Sequence, residues 1–358
     1  MAETAKSLVN EFNQQVKPVS LWADAWKRLR KNRMALIGLY VVIFYIVVSL
    51  IAPILPIYSP NEQNLMHINL PPSFKTAGEL AVEKVENRIA RLTEVLKTQD
   101  REDLKKELES QKAELAKIKD EVQHDPSYNK VYILGTDYLG RDMLARIIYG
   151  GQISIGIGVV GTLTAVLIGI VIGAIAGFLG GWVDNLLMRF VDVLYGLPYM
   201  LIVIILMSMV PSGSNSIFIL FIAIAMVSWL TIARVVRGQI ISLKNSEFVE
   251  AARSMGASQA RIIFRHLLPN SLGVIIIFAT LQMPSFIMNE SFLSFLGLGV
   301  SAPGASWGTL VADGVKGMEL YPWRLLFPAF SMTIFLFAMN FLGDGLRDAL
   351  DPQSKNRT

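Results

Sequence analysis

Long uncharged runs alternate with short charged ones along most of the 358-residue chain. Met34–Asn61 carries no charge, and its apolar part, residues 35–55, is long enough to cross the ~30 Å of hydrocarbon in a bilayer. Ile147–Val183 and Val193–Ala233 are uncharged over 37 and 41 residues, and the second is too long for a single helix. Turn-forming residues from Pro211 to Ser216 divide it into two. Leu267–Asn289 and Leu325–Gly343 add two more, so the pattern predicts six transmembrane helices. Ser294–Tyr321, between the last two, is rich in Gly, Pro and Ser and reads as an external loop or a re-entrant segment.

One segment breaks this pattern. Glu79–Gln123 holds 10 basic and 12 acidic residues in 45 positions. Within it Val85, Ile89, Leu92 and Leu96 follow a heptad-like spacing. Leu104, Leu108, Leu115, Ile118 and Val122 do the same, with Gln111 filling one position of the seam. Asp100 can cap the second run, with Asp103 three residues on. The spacing predicts an antiparallel helical hairpin standing outside the membrane, as a solvated strut or as a contact surface. In the second span, Gly161, Ala165, Gly169, Gly173 and Gly177 recur every fourth residue. Such a face lets helices approach closely, either within the chain or against a second membrane subunit.

Composition changes the picture by exclusion. Hydrophobic residues make up 53% and charged residues 17%, where a soluble domain carries about a quarter charged, so an ordinary soluble enzyme and a disordered chain are both ruled out. The absence of cysteine removes disulfides, thiolate metal sites and cysteine nucleophiles, and His67, His124 and His266 are too scattered for a histidine-rich metal site. The net charge of +4 needs no nucleic acid to explain it. Basic residues set the orientation. Lys27–Arg33 flanks the first span, with Trp22 and Trp26 placed for the interface. Arg234, Arg237, Lys244, Arg253, Arg261 and Arg265 fall on the same side by the span count, as do Arg347, Lys355 and Arg357. Both termini are therefore expected in the cytoplasm. The first apolar run is too long for the h-region of a signal peptide.

Asn245–Pro269 is unlike an ordinary connector. Asn245 or Ser246 can cap a helix whose first turn holds Glu247 and Glu250, favourable against the helix dipole, and Ala251, Ala252 and Met255 continue it. Gly256 suits a helix-ending position with φ > 0. Ser258 can cap a second helix running to about His266, basic at Arg261 and Arg265. Two compact helices between spans are better suited to docking into another protein than to bridging. Elsewhere, Asn289 and Glu290 near the outer end of the fifth span are either pore or gate residues or, for Glu290, a structural acid held by the following loop. Arg189 and Asp192 have the spacing of an i,i+3 pair. Asp137, Arg141 and Asp142, before the second span, read as a salt-bridged external cap rather than a catalytic or metal cluster.

Glu250-Ala251-Ala252, with Gly256 four residues on and Leu268-Pro269 closing the segment, resembles the EAA loop of ABC-importer permeases. His266 stands where the general pattern has an aliphatic residue, and Arg261–Asn270 instead resembles the peptide-and-nickel branch. Other stretches follow in that branch's order. Leu134–Asp142, with Gly135, Thr136, Asp137, Gly140, Arg141 and Asp142, resembles the signature of the C-type oligopeptide and dipeptide permease subunit. So do Gly180–Asp184, Glu290–Gly299, Ser306–Gly308 and Leu346–Pro352. The insert between Thr76 and Pro126 departs from the family pattern.

The resemblance implies an all-α integral membrane protein, a type I ABC-importer permease fold of six transmembrane helices with an external helical-hairpin insert. Residues 1–34 would be a cytoplasmic segment with a basic interfacial helix, and 35–56 the first transmembrane helix. Residues 57–146 would be external, with the hairpin at 79–123. Residues 147–343 would form a five-helix core with the coupling loop at 245–269, and 344–358 a cytoplasmic tail. The implied function is half of the translocation pathway of an ATP-driven importer for oligopeptides or dipeptides, in a bacterial or archaeal inner membrane. Glu247, Glu250, Ala251, Ala252, Gly256, Arg261, Arg265, His266 and Pro269 would contact the ATPase. The implied partners are a homologous permease subunit, two cytoplasmic ATPase subunits that hold ATP and Mg2+, and an extracytoplasmic substrate-binding protein, which the hairpin could touch. No G-x-x-x-x-G-K followed by Ser or Thr occurs, so this chain cannot bind ATP by a P-loop, and the resemblance implies no cofactor and no enzymatic role of its own. The alternatives are a permease for nickel or another small solute, and an ion-coupled secondary transporter with Glu290 as proton carrier. The latter predicts inverted repeats, and none is evident.

Overall fold

A computed structural model describes residues 21–98, 101–209 and 216–350. The Asp100 cap, the turn residues ahead of Ser216 and the basic residues Lys355 and Arg357 lie outside the described residues. Among the described residues the secondary structure is helical, with isolated bridges at Thr76–Val131 and Thr136–Asp142 in place of strands.

Helix α1 (Leu21–Leu29) seats Ala25 and Leu29 against Ala35 and Ala349, bringing the two ends of the described chain together. Asn32 caps α2 (Arg33–Ile51) by accepting from the Ala35 N–H at 3.2 Å. The helix stops at Ile51, short of the expected residue 56, because Pro53 and Pro56 cannot continue it. Tyr40, Phe44 and Leu50 lie exposed along α2, as suits a lipid-facing helix.

The charged segment forms the predicted hairpin, α3 (Ala77–Thr98) and α4 (Glu102–His124). The Arg88–Glu107 and Lys119–Glu86 ion pairs at 3.1 and 2.9 Å bridge its two antiparallel helices. Val85 and Gln111 are buried in the seam where the spacing placed them. A small core of Leu70, Ala77 and Tyr132 ties the hairpin's base to the rest of the chain.

Helix α5 (Met143–Leu179) has 37 residues, about 55 Å at 1.5 Å per residue, so it exceeds the hydrocarbon thickness. Its small-residue face packs within the chain. Side chains at Gly169, Gly173 and Gly177 would collide with Ile232, with the Ala233 carbonyl and with the Arg237 carbonyl of α8 (Ser216–Leu243). Gly158 and Gly161 likewise receive Met283 and Phe286.

The third crossing corrects the sequence expectation of a plain helix from about Val193. It is a pair, α6 (Gly181–Gly196) and α7 (Tyr199–Ser208), bent by 80° at Leu197-Pro198. Proline lacks an N–H and disfavours helix in the residue before it, so the run breaks there. Among the described residues five helices are long and apolar enough to cross a membrane, and the count reaches six with the bent pair as one span. Arg189 and Asp192 do not pair as expected. Asp192 meets Arg234 of α8 at 2.8 Å instead, because α6 and α8 lie side by side.

The connector begins with α9 (Glu247–Ser254) as predicted. The second helix is not separate: α10 (Gln259–Ile262) passes through a π turn, Ile263–Leu267, into α11 (Leu268–Phe295), making one 37-residue helix. The wider turn admits Pro269, which cannot donate to a preceding carbonyl. Asn270 Nδ2 and Ser271 Oγ donate to the His266 and Leu267 carbonyls at 2.6 and 2.9 Å. The Ser294–Tyr321 segment contains a helix, α12 (Trp307–Val315), opened by a Ser306–Thr309 capping box. Trp307 fixes it in place: its Nε1 donates to the Ile147 carbonyl at 2.9 Å and its ring is buried against Tyr45 and Phe335. The last helix, α13 (Trp323–Leu350), extends past the expected Gly343.

Candidate coupling surface and transmembrane cleft

The candidate residues fall into three places. The first is a knot just ahead of α5. Gly135 and Gly140 have φ of +76° and +71°, which only glycine adopts cheaply, and a side chain at Gly140 would strike the Asn64 carbonyl. The turns they permit bury Asp137, whose Oδ2 accepts from Arg141 Nε at 2.7 Å and Arg146 Nη1 at 2.8 Å. Its Oδ1 accepts from the Leu139 and Arg141 N–H groups at 2.9 and 3.0 Å. Thr136 Oγ1 accepts from the Leu70 N–H and donates to the His67 carbonyl. Asp142 caps α5 through the Leu144 and Ala145 N–H groups at 3.3 and 3.1 Å. All six signature residues are thus spent on structure. His67, beneath the knot, packs against Tyr128 and Tyr132, and burial holds its imidazole below the usual value, with the Lys130 charge acting the same way. The geometry is that of a rigid cap, and Tyr138, Arg141 and Arg146 also line a cavity of about 360 Å3 between the knot and the segment around Ser294–Lys316.

The second place is the surface formed by α9 and α10. Gly256 has φ of +79°, and Ser258 Oγ accepts from the Arg261 N–H at 3.3 Å. Val249, Ala252, Ile262 and Leu267 are buried in the core shared by α5, α8 and α11. Phe248, Met255 and Phe264 point outward, with Met255 81% exposed. Glu247, Glu250, Ala251, Gly256, Arg261, Arg265 and Pro269 are also exposed, and His266 is half-buried. An apolar patch rimmed by both signs of charge on a firmly anchored base marks an interaction surface.

The third place is a cleft of about 260 Å3 between α6, α8 and α11. Asn289 lines it, as does Gln282. Glu290 does not, which separates the sequence-predicted pair. One residue further along the helix, Glu290 faces α12, fully buried, and its Oε1 accepts from Ser294 and Ser306 hydroxyls, each at 2.6 Å. Ser306 caps α12, so this carboxylate ties α11 to the start of that helix. Among the described residues no group of three metal-ligating side chains comes together.

Three functional-looking features escaped the sequence reading. Arg237 makes a two-pronged contact with Asp184 at 2.5 and 2.6 Å, joining α6 to α8. Arg234, besides its pair with Asp192, stacks on Tyr195 with its guanidinium 4.2 Å from the ring centre. Gln282 sits inside an uncharged span, and a carboxamide there was itself a signal.

Comparison with known proteins adds the following. Residues 169–356 match the family model described as binding-protein-dependent transport system inner membrane component. Residues 20–72 match that of the N-terminal TM domain of oligopeptide transport permease C. The oligopeptide transport system permease protein OppC of Bacillus subtilis is 38% identical over 337 residues, spanning 94% of this chain and 91% of that protein. The dipeptide transport system permease protein DppC of the same organism is 39% identical, spanning 94% and 87%. The OppC protein of Escherichia coli K12 is 50% identical over 230 residues, 64% of this chain and 75% of that protein.

Proposed function

The chain belongs to the family of inner membrane components of binding-protein-dependent transport systems, and on that premise we propose that it is the permease subunit of an ATP-driven importer of oligopeptides or dipeptides. It forms half of the translocation pathway beside a homologous permease subunit. Two ATPase subunits hold ATP and Mg2+ and supply the energy, and a substrate-binding protein delivers the solute from outside. Both termini face the cytoplasm of a bacterial or archaeal cell.

The observation that carries this reading is the α9–α10 surface. A partner seating Phe248, Met255 and Phe264 removes apolar area from water, while Glu247, Glu250, Arg253, Arg261 and Arg265 at the rim set its register. The solute class rests on the relatives, which are named for oligopeptide and dipeptide transport. Glu290 supports importer over proton carrier, because its Oε1 accepts from two serines and the residue does not line the cleft.

The test is uptake into vesicles carrying the complete complex. Radiolabelled tri-alanine should accumulate only with ATP on the ATPase side and the binding protein on the other. Uptake driven by a pH gradient without ATP would overturn the reading in favour of a secondary transporter.

A further inference from the structure

Two helices lose their regular hydrogen bonding beside the same cleft. The α6–α7 bend at Leu197-Pro198 forms one wall, and α11 carries Pro284 inside it, between the cleft residues Gln282 and Ser285. Proline has no N–H, so the Thr280 carbonyl, one turn earlier, loses its helical donor. In a bilayer, irregular backbone of this kind is tolerated where protein covers it or where it lines a hydrated cavity. The cleft also lies deep. Gln282 and Ser228 stand near the midpoints of their 28-residue helices.

The lining chemistry is uncharged and polar. It presents the carboxamides of Gln282 and Asn289 and the hydroxyls of Ser228, Ser285, Thr231 and Tyr195, among apolar neighbours. Among the described residues no carboxylate, ammonium, guanidinium or imidazole lines it. The lining itself offers a charged solute group no counter-charge, the Arg234 guanidinium behind the Tyr195 ring being paired with Asp192, and a metal ion would find no ligand set. Gln282 Nε2 donates to the Ser228 carbonyl at 3.1 Å, which holds the carboxamide across α8 and α11. Its Oε1 is buried and has no hydrogen-bond partner. A buried, oriented acceptor without a donor is costly unless something supplies an N–H or O–H.

We propose that the cleft is a main-chain binding site for the passing peptide, with Gln282 Oε1 accepting a backbone N–H and the Asn289 carboxamide and Ser285 hydroxyl engaging the neighbouring peptide group. This rests on the peptide-importer reading and deepens it. A peptide group is neutral and offers one donor and one acceptor, which matches a carboxamide lining and leaves side chains unread. At about 260 Å3 the cleft lies just below the ~300–1,000 Å3 of ordinary ligand pockets. That suits one or two peptide groups rather than a whole solute, and a carrier of varied peptides needs a grip on what they share.

The test uses the complete complex, with the chain's lack of cysteine making Leu194→Cys, at an apolar position of the cleft wall, a single reporter thiol on this subunit once any partner thiols are removed. With the binding protein left out, millimolar tri-alanine should slow modification of that thiol by a small neutral reagent at least fivefold. Tri-alanine methylated at its backbone nitrogens should not. Gln282→Met, which keeps volume but removes the acceptor, should abolish the protection and lower ATP-driven uptake of tri-alanine at least tenfold at saturating binding protein. Asn289→Leu is the second variant if Gln282→Met fails to assemble. Equal protection by the methylated peptide, no protection by either, or wild-type uptake by the substituted complexes would overturn the main-chain site while leaving the importer intact. Failure of the unsubstituted complex to take up tri-alanine with ATP would instead remove the functional reading beneath it.

Discussion

Replacing Asp137 by Asn tests whether the knot ahead of α5 is the rigid cap its geometry describes. The substitution keeps shape and both backbone hydrogen bonds to Oδ1, and removes one charge. In the folded protein that charge faces Arg141 and Arg146, whose side chains are each only 3% exposed. The asparagine would therefore leave two guanidiniums buried without their shared counter-ion, and breaking a buried pair on one side costs about 3–5 kcal/mol. At roughly 2–4 °C per kcal/mol for a domain of 150–250 residues, the melting midpoint should fall by at least ~6 °C. The assay is thermal unfolding of the purified protein in detergent, followed by size-exclusion chromatography. Adding Arg146→Met should recover part of the loss, because removing both members of an ion pair is cheaper than orphaning one. A midpoint within ~1 °C of the unsubstituted protein would show that the ion triad carries no stability, and the rigid-cap description would be wrong.

Gly256→Asp should uncouple transport: nothing crowds the position, but φ of +79° costs a residue with a β-carbon about 1–2 kcal/mol, so the turn between α9 and α10 shifts. Uptake in the complete complex should drop at least tenfold while the subunits still co-purify, and normal uptake would refute the coupling role. His67 predicts a pH effect with a definite sign. Burial lowers its folded pKa below the ordinary 6.5, so the unfolded state binds the extra proton, and stability is complete above that value and falls as pH drops through and below it. Melts between pH 7.5 and 5.5 should show this slope, and His67→Gln should flatten it. Lys106→Cys, in the hairpin, should react with an impermeant maleimide from outside, and Arg261→Cys only after the membrane is opened. The reverse pattern would invert the topology and remove the coupling reading.

The hairpin and most of the spans were legible because period and charge act locally. The seam residues of α3 and α4 repeat at helical spacing, so Val85 and Gln111 could be assigned to the seam before any contact was known. Gly256 and Ser258 were legible for the same reason, since a helix end and a cap are decided within a few residues. What escaped depends on which helices become neighbours. Asp192 has Arg189 at pairing distance along its own helix, yet its partner is Arg234, 42 residues away. The third span hid its break because Leu197-Pro198 lies inside an apolar run, where hydropathy carries no signal of direction. Asn289 and Glu290 are adjacent in sequence, but one helical step turns them to opposite surroundings, and only the packing of α12 decides which is buried.

Among the described residues the two largest hydrophobic cores divide the molecule in a way that bears on transport. One gathers α2, α12, α13, the outer turns of α5 and Met283 and Ile287 of α11 around Trp307 and Phe335. The other runs from Val249 and Ile262 of the connector, through Ile232 and Ile240 of α8, to Ile275 and Phe286 of α11. Close-packed interiors transmit displacement rather than absorb it. In the proposed coupling, a partner pushing on Phe248, Met255 and Phe264 therefore loads α8 and α11, whose midpoints line the cleft, and through Met283 and Ile287 of α11 it also reaches the core of α2 and α13. The Arg237–Asp184 and Arg234–Asp192 contacts add α6 to that body, and its end at Leu197-Pro198 forms the remaining wall. Val203 and Met207 of α7 lie in the same core as Ile232 and Ile240, so both halves of the bent pair, and with them the cleft wall at Leu197-Pro198, are tied to the connector in the proposed coupling.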